Sequence, residues 1–261
     1  MSNTIHQIDA FTDAAFGGNP AAVMLLDAPA ESAWMQNVAL EMNLSETAFL
    51  EARDDGYGLR WFTPAAEVDL CGHATLASAH FLWCERHLAE DATARFHTRS
   101  GVLSAERDGD WIVLDFPALT SQATDIPDGL AAALGAEPVS VVNSAYDILA
   151  ELDSEAAVRG LAPNFVALKP FSERGVIVTA EGDGEYDFVS RFFAPNYRVD
   201  EDPVTGSAHC VLAPYWGARL GRTAMTAYQA SARGGVVRVE TVGTRVSLAG
   251  QAVTVMKGEL V

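Results

Sequence analysis

The sequence predicts an α+β fold made of two similar halves, each with a helix packed on a curved sheet. Segments rich in β-branched and aromatic residues alternate with segments of helical periodicity along the 261 residues. Hydrophobic residues make up 49% of the chain, which is enough for a full core and excludes disorder as its main state. A series of residues in the first half also recurs, in the same order, in the second half.

Two helices and seven strands are predicted in the first half. Trp34, Val38 and Met42 recur at a helical spacing, which predicts a helix at Ala33–Met42. A second helix is predicted at His73–Leu88 by the same criterion. The predicted strands are Ile5–Phe11, Ala21–Leu26, Thr47–Ala52, Gly58–Phe62, Arg95–Thr98, Gly101–Arg107 and Trp111–Phe116.

The second half begins after a polar stretch at Pro117–Pro127 that has no clear period and is predicted to cross between domains. Helices are predicted at Gly129–Leu134, Ser154–Leu161 and Ser207–Leu220, and Pro214 predicts a kink in the last of them. The predicted strands are Val139–Ser144, Asp147–Glu151, Asn164–Leu168, Gly175–Ala180, Tyr186–Phe193, Val236–Val242, Val246–Leu248 and Ala252–Met256.

The repeated series of residues indicates an internal duplication. Its two copies are Arg60-Trp-Phe-Thr-Pro64, Val68-Asp69 and Gly72-His73-Ala74, and Arg191-Phe-Phe-Ala-Pro195, Val199-Asp200 and Gly206-Ser207-Ala208. The pairs up to Asp69 and Asp200 keep a constant offset, and the second copy then gains three residues before its Gly. Each copy leads into a helix, where free N–H groups and the helix dipole favour an anion. We therefore expect a cleft between the halves that holds one small carboxylic acid.

Charge and cysteine content exclude several classes of partner. The chain has 17 Lys and Arg against 35 Asp and Glu, a net charge of −18, which argues against nucleic acid and anionic membranes. Cys71, Cys84 and Cys210 have no C-x-x-C spacing and predict neither disulfides nor a zinc ribbon, which favours the cytoplasm. Met1–Asp13 lacks the apolar core of a signal peptide, and no nucleotide-binding motif occurs.

Several polar residues are candidates for chemistry, although their spacing leaves structural interpretations open. Glu46 could be a general acid/base at a cleft wall or a solvated loop carboxylate. His73 could act at a helix start or be an ordinary N-terminal residue of that helix. Asp202 could take part in a site or cap the next helix, and Asn19 could bind a ligand or only form a turn. Ser207 has no nucleophile-elbow motif around it, which argues against a serine hydrolase.

A metal site is not predicted. His73, His80 and His87 recur every seven residues and would share one helical face, but neighbours are about 10 Å apart along a helix, too far for one ion. The sequence has neither an H-E-x-x-H motif nor an acidic cluster with metal-ligand spacing.

Six segments together resemble the PhzF-like family of phenazine-biosynthesis proteins. They are Ile8-Asp-Ala-Phe-Thr12, Phe16-Gly-Gly-Asn-Pro-Ala-Ala-Val23, Leu44-Ser-Glu-Thr-Ala-Phe49, Arg60-Trp-Phe-Thr-Pro64, Asp69-Leu-Cys-Gly-His-Ala-Thr75 and Glu201-Asp-Pro-Val-Thr-Gly-Ser-Ala208. The resemblance implies the diaminopimelate epimerase-like fold, with two pseudo-symmetric domains, each a β-barrel-like sheet wrapped round a central helix. It implies domains at 1–117 plus 253–261 and at 118–252, an active site in the cleft between them, and a homodimer.

The resemblance also implies a biosynthetic isomerase that needs no cofactor. Glu46 would be the catalytic acid/base and His73 and Asp202 its polar partners. Gly72 and Gly206 would supply backbone donors to a substrate carboxylate, with Ser207 and Asn19 in the same substrate-binding set. The implied substrate is a small, cyclic or unsaturated carboxylic acid.

Two alternatives stay open at this point. One is a Cys-dependent amino-acid racemase or epimerase, in which Cys71 would be one of two thiol bases. The second loop, Asp202–Gly206, has no Cys, and Cys210 lies a turn further into the helix, so the second thiol base is missing. The other alternative is a non-catalytic metabolite-binding protein on the same scaffold.

Overall fold

The chain divides into two compact units in the computed structural model, which describes residues 4–261. The first unit extends to Asp115 and also includes Ala249–Val261. The second unit is Phe116–Leu248. The last strand of the chain therefore belongs to the same unit as the first strand.

Strands dominate both units. The strands are Thr4–Ala10 (β1), Asn19–Leu26 (β2), Glu46–Arg53 (β3), Gly56–Phe62 (β4), Glu67–Val68 (β5), Ala94–Thr98 (β6), Gly101–Asp108 (β7), Trp111–Pro117 (β8), Ser121–Thr124 (β9), Ser140–Ser144 (β10), Asp147–Glu151 (β11), Gly175–Glu181 (β12), Phe188–Ala194 (β13), Val199–Asp202 (β14), Ala224–Gln229 (β15), Gly235–Val242 (β16), Arg245–Gly250 (β17) and Ala252–Glu259 (β18). The helices are Ser32–Met42 (α1), Gly72–Cys84 (α2), Leu130–Leu134 (α3), Glu155–Gly160 (α4), Phe165–Leu168 (α5) and Gly206–Leu220 (α6).

Strand pairing in the first unit follows a simple scheme. Strand β1 pairs antiparallel with β2 and with β18. Strand β2 pairs parallel with β3, which pairs antiparallel with β4. Strand β4 pairs antiparallel with β5 and parallel with β6, and β6 pairs antiparallel with β7.

The second unit repeats this scheme strand for strand. Strand β10 pairs antiparallel with β11 and with β9, and β11 pairs parallel with β12. Strand β12 pairs antiparallel with β13, which pairs antiparallel with β14 and parallel with β15. Strand β15 then pairs antiparallel with β16. The identical order confirms the predicted α+β class with two similar units.

Each unit packs its sheet on one long central helix. Ten of the thirteen residues of α2 are buried, because Ala, Leu and Phe occupy positions all round the helix. Nine of the fifteen residues of α6 are buried, and this helix continues through Pro214 to Leu220, so the proline does not end it. Within residues 4–261, no helix has both the length and the apolar character needed to cross a membrane.

Two predicted elements were wrong in type or extent. Asn164–Leu168 was predicted as a strand, but it contains α5, because the Asn164 side chain accepts a hydrogen bond from the backbone N–H of Ala167 at 3.1 Å and caps a helical turn. Helix α2 ends at Cys84, earlier than predicted, since Arg86 takes a positive φ of 61° and reverses the chain. The short polar strands β5, β9 and β14 were not predicted, and neither was the six-residue strand β15.

The structure corrects the alignment of the two sequence copies. Trp61 pairs with Val68 in the first unit, and its equivalent Phe192 pairs with Asp202 in the second. Arg60 forms a two-bond ion pair with Glu67, and Arg191 forms the same pair with Glu201. Val68 therefore corresponds to Asp202 and not to Val199. The three extra residues lie before Glu201, where a short 3₁₀ turn, Pro195–Tyr197, takes them up.

Candidate active site

Glu46 and Asn19 lie at the same edge of the first sheet. Glu46 begins β3 and Asn19 begins β2, and these strands are parallel, with Ala21 opposite Glu46. Parallel neighbours start at one edge, so both side chains project where the strands begin. The turn before Asn19 needs glycine, since Gly18 has φ +59° and an added Cβ would meet the Ala10 carbonyl oxygen.

The N-terminus of α2 brings a thiol and an imidazole to this edge. Cys71 is the N-cap residue, and Gly72 and His73 form the first turn. Nε2 of His73 lies 3.1 Å from Oε2 of Glu46. Nδ1 of His73 lies 3.2 Å from the Asn19 amide nitrogen and 3.5 Å from Sγ of Cys71. Three side chains, those of Glu46, Asn19 and Cys71, thus converge on the His73 imidazole.

The His73–Glu46 contact is close but poorly aligned. Both side-chain atoms are buried, and within residues 4–261 neither makes a hydrogen bond of good geometry. Buried polar atoms of native proteins are normally hydrogen-bonded, so an exception of this kind marks a position where a partner is expected. The pair is therefore open to a ligand.

Burial and charge shift the pKa values of the cluster. Burial lowers the pKa of His73, but the nearby Cys71 and Glu46 raise it by more, so this pKa lies well above the ordinary value. Burial, followed by the charge of Glu46, raises the pKa of the Cys71 thiol. Because the thiolate is the reactive form of cysteine, Cys71 is a weak nucleophile at neutral pH.

The corresponding loop of the second unit leads into α6. Asp202 ends β14, and its Oδ2 accepts a hydrogen bond from the hydroxyl of Thr205, the N-cap residue, at 2.5 Å. The fully buried Gln229 accepts from the Thr205 N–H at 2.8 Å and donates to the Asp202 carbonyl oxygen at 2.7 Å. Gly206 and Ser207 form the first turn. The two hydrogen bonds of Gln229 therefore hold this loop in place.

The two loops differ in chemistry at matched positions. Glu46 corresponds to Gly175, because each lies two residues before the partner of a matched residue: Ala48 pairs with Trp61, and Ile177 pairs with Phe192. A Cβ at Gly175 would lie 2.2 Å from the Phe192 ring, so no larger side chain fits there. In the same register, Cys71 corresponds to Thr205 and His73 to Ser207. Carboxylate, thiol and imidazole thus occupy these positions only in the first unit.

Comparison with known proteins places the chain in a family. The model of the phenazine biosynthesis-like proteins, PhzC-PhzF, matches residues 8–258. The chain belongs to the PhzF family. An uncharacterized isomerase of Halalkalibacterium halodurans is 51% identical over 262 residues, which is 100% of this chain and 99% of that protein. A PhzF-family crystal structure from Enterococcus faecalis has a TM-score of 0.96 and 45% identity, with 100% of both chains covered.

The PhzF fold is shared more widely. A probable proline racemase from Agrobacterium radiobacter has a TM-score of 0.67 over 99% of this chain and 92% of its own, at 11% identity. At this identity the match shows the fold alone. It confirms the predicted diaminopimelate epimerase-like architecture.

The structure groups the predicted PhzF site residues into two sets. Glu46, His73, Asn19 and Gly72 lie together in the first unit. The second unit holds the other three, Asp202, Gly206 and Ser207. Sequence reasoning did not identify the contacts of Cys71 and Gln229 with these sets. The position of Cys71 two residues before His73 at a helix start was a usable signal, whereas Gln229 is far from its partners in sequence and offered none.

His209 makes stability pH-dependent. It lies in α6, fully buried, and its Nδ1 donates to the Thr205 carbonyl oxygen at 2.9 Å. Burial lowers the His209 pKa to about 4, against 6.5 when unfolded, although the Thr205 contact acts in the opposite direction. The unfolded chain therefore binds more protons between these values, and stability falls as the pH drops through this window.

The His209 contribution is predicted to lower the free energy of unfolding by about 2 kcal/mol between pH 7 and pH 5. Urea unfolding at both pH values measures it. His209→Gln should remove this contribution to the difference in unfolding free energy between the two pH values. His97 pairs with Asp55 at the surface, so His97→Gln should leave the contribution in place. An equal pH dependence in wild type and His209→Gln would contradict the prediction.

Proposed function

We propose that this PhzF-family protein is an isomerase that moves a proton on a small, cyclic or unsaturated carboxylic acid, with Glu46 as the only acid/base. The observation that supports this most directly is the partly buried Glu46 carboxylate, whose Oε2 lies 3.1 Å from Nε2 of His73, at a helix N-terminus. The family and the relatives named as isomerases support the reaction class.

Glu46 is suited to shuttle one proton. A carboxylate that takes a proton from one carbon becomes the acid that returns it to another carbon on the same face. No electrons are transferred, so the proposal requires no cofactor. His73 is proposed to hold the Glu46 side chain in position, and Asn19 and Cys71 to fix the imidazole from its other side.

The substrate carboxylate is proposed to bind at helix N-termini. The first turn of α2 has N–H groups without partners in its own helix, and Gly72 adds no Cβ to obstruct an approaching anion. Gly206 and Ser207 are proposed to serve the same purpose at α6, and Asp202 to act as a polar partner of the reaction. Local capture matters here because the overall charge of −18 repels anions.

Several features argue against the racemase alternative. Two-thiol racemases need a second base, and the position matched to Cys71 is Thr205. The raised pKa of the Cys71 thiol also disfavours its use as a base. A single carboxylate is the simpler catalyst for these residues.

The proposed setting is a homodimer in the cytoplasm. Within residues 4–261, Cys71, Cys84 and Cys210 form no disulfide, which fits a reducing compartment. The family resemblance implies the dimer. Sedimentation equilibrium of the full chain should give twice the monomer mass of 27.8 kDa, and a monomer at micromolar concentration would contradict this.

The proposed function is tested by proton NMR in D₂O with a panel of cyclic, unsaturated and α-amino carboxylic acids, including dihydro-hydroxyanthranilate. Deuterium at a ring or vinylogous carbon is the expected result. Deuterium at an α-carbon with loss of chirality would favour the racemase. No exchange, with a panel acid still raising the melting temperature, would favour the metabolite-binding alternative.

Replacing Cys71 by Ala separates the two catalytic alternatives. In the proposed mechanism Cys71 only packs against His73, so the variant should lose less than about tenfold in exchange rate. A racemase that uses this thiol would lose all measurable racemisation. Initial exchange rates of both proteins, measured with and without iodoacetamide, provide the comparison.

A further inference from the structure

Glu46, Cys71 and His73 form a set of donors suited to a transition-metal ion. One donor atom from each residue lies within 4.8 Å of the other two. Thiolate sulfur, imidazole nitrogen and carboxylate oxygen are the ligand types of protein zinc sites. We propose that this cluster binds one Zn²⁺ ion and that the bound ion blocks proton transfer by Glu46. The blocking rests on the proposed function, whereas the binding does not.

The distances are close to those of a zinc site. With metal–ligand bonds of about 2.0–2.3 Å, donor atoms around tetrahedral zinc lie about 3.3–3.8 Å apart. Sγ of Cys71 lies 3.5 Å from Nδ1 of His73, and Oε2 of Glu46 lies 3.1 Å from Nε2, so the two side chains approach different ring nitrogens. One ion binds through only one ring nitrogen, and the three donor atoms available to it lie within 4.8 Å of one another. The widest donor pair would close by about 1 Å, which rotation of side chains can supply.

A second, independent observation concerns the hydrogen bonding of the buried donor atoms. Nε2 of His73 and Oε2 of Glu46 have no well-aligned hydrogen bond within residues 4–261, and His73 is 5% exposed. A metal ion would satisfy them. On binding, the Cys71 thiol and any protonated His73 release their protons to solvent. Three protein ligands leave the fourth tetrahedral position open to water or to a substrate carboxylate.

The chain offers a matched control on the same helix. Cys84 and His80 are four residues apart on α2, with Sγ 3.4 Å from Nε2 of His80. This pair offers two zinc ligands, and residues 4–261 place no third donor beside it as Glu46 stands beside Cys71 and His73. Cys84 is exposed and lies outside the proposed catalytic residues.

Binding is tested on the full chain, with Zn²⁺ in competition with a chromophoric chelator and with Co²⁺ as a spectroscopic probe. Wild type and Cys84→Ser should bind one ion per chain and show thiolate-to-cobalt charge-transfer absorption. Cys71→Ser and His73→Gln should bind at least roughly 10–100-fold more weakly, and Cys71→Ser should lose the absorption band. Circular dichroism of the metal-free variants checks that they are folded.

The possible outcomes test zinc binding and the inhibition of proton transfer by zinc separately. Equal zinc affinity of wild type and Cys71→Ser, or loss of the cobalt band in Cys84→Ser instead, would overturn the site. Zinc should also stop deuterium exchange by wild type and Cys84→Ser, and a chelator should restore it. Binding without inhibition would overturn the blocking. A chain that binds zinc but exchanges no proton overturns the proposed function and the blocking with it, and leaves the site established.

Discussion

Replacing Glu46 by Gln is expected to slow deuterium exchange into the substrate by roughly 10²–10⁴-fold, the usual contribution of a general acid/base. Glutamine keeps the size of the side chain but cannot accept and return a proton. The residual rate would come from binding and orientation alone. Proton NMR in D₂O at saturating substrate measures the change in kcat.

Substrate binding should survive this substitution. The proposed carboxylate contacts come from backbone N–H groups of α2, which the Glu46→Gln change does not remove. The apparent substrate affinity, measured from the rise in melting temperature with substrate, should therefore stay within a factor of a few of the wild-type value. Glu51→Gln on the same strand is the matched control and should exchange like wild type. Retention of the wild-type rate by Glu46→Gln would exclude Glu46 as the base.

The predictable part of the fold is the part with strong hydrophobic periodicity. Helices α1 and α2 and most long strands were found near their predicted positions, because they bury one or both faces. Three of the missed strands, β5, β9 and β14, are short and polar, and pairing rather than propensity creates them. Glu67–Val68 (β5) is an example, since the Arg60–Glu67 ion pair holds it in place.

The alignment of the two copies shows a second limit. The dipeptide Val-Asp occurs at Val68 and at Val199, so the sequence suggested an equivalence that strand register does not support. Only the pairing of Phe192 with Asp202 reveals where the extra residues lie. The sequence already matched Gly72 with Gly206, so the equivalence of Cys71 and Thr205 does not depend on this correction.

The candidate site was predictable in its members but not in its contacts. Motifs identified Glu46 and His73, which are far apart in sequence. Their 3.1 Å approach depends on the packing of α2 on the start of β3. The sequence alone also could not show that Cys71 touches His73. The prediction of no metal site rested on the spacing of the histidines and on the lack of an H-E-x-x-H motif and of an acidic cluster, none of which reports such a contact. His87 lies beyond the end of α2.

Replacing Trp216 by Ala is expected to lower the free energy of unfolding by about 3–5 kcal/mol, as is typical when a buried aromatic residue is truncated. Trp216 is 2% exposed in the middle of α6. Its ring stacks on Phe188 with centroids 6.0 Å apart, and its Nε1 donates to Oγ1 of Thr179 at 2.9 Å. The substitution leaves a cavity and removes both contacts.

Trp216→Phe separates packing from hydrogen bonding. It should keep the contact with Phe188 and lose about 1 kcal/mol with the Thr179 hydrogen bond. Trp34→Ala, at a partly exposed position of α1, should cost less than Trp216→Ala, because less apolar surface leaves a buried environment. Urea unfolding followed by circular dichroism ranks the three variants. A loss below about 1 kcal/mol for Trp216→Ala would show that this core is not close-packed.

The same helix begins at Gly206 and Ser207. Hydrogen exchange of its first-turn amides should therefore accelerate in Trp216→Ala, since local opening there follows the stability of the helix core.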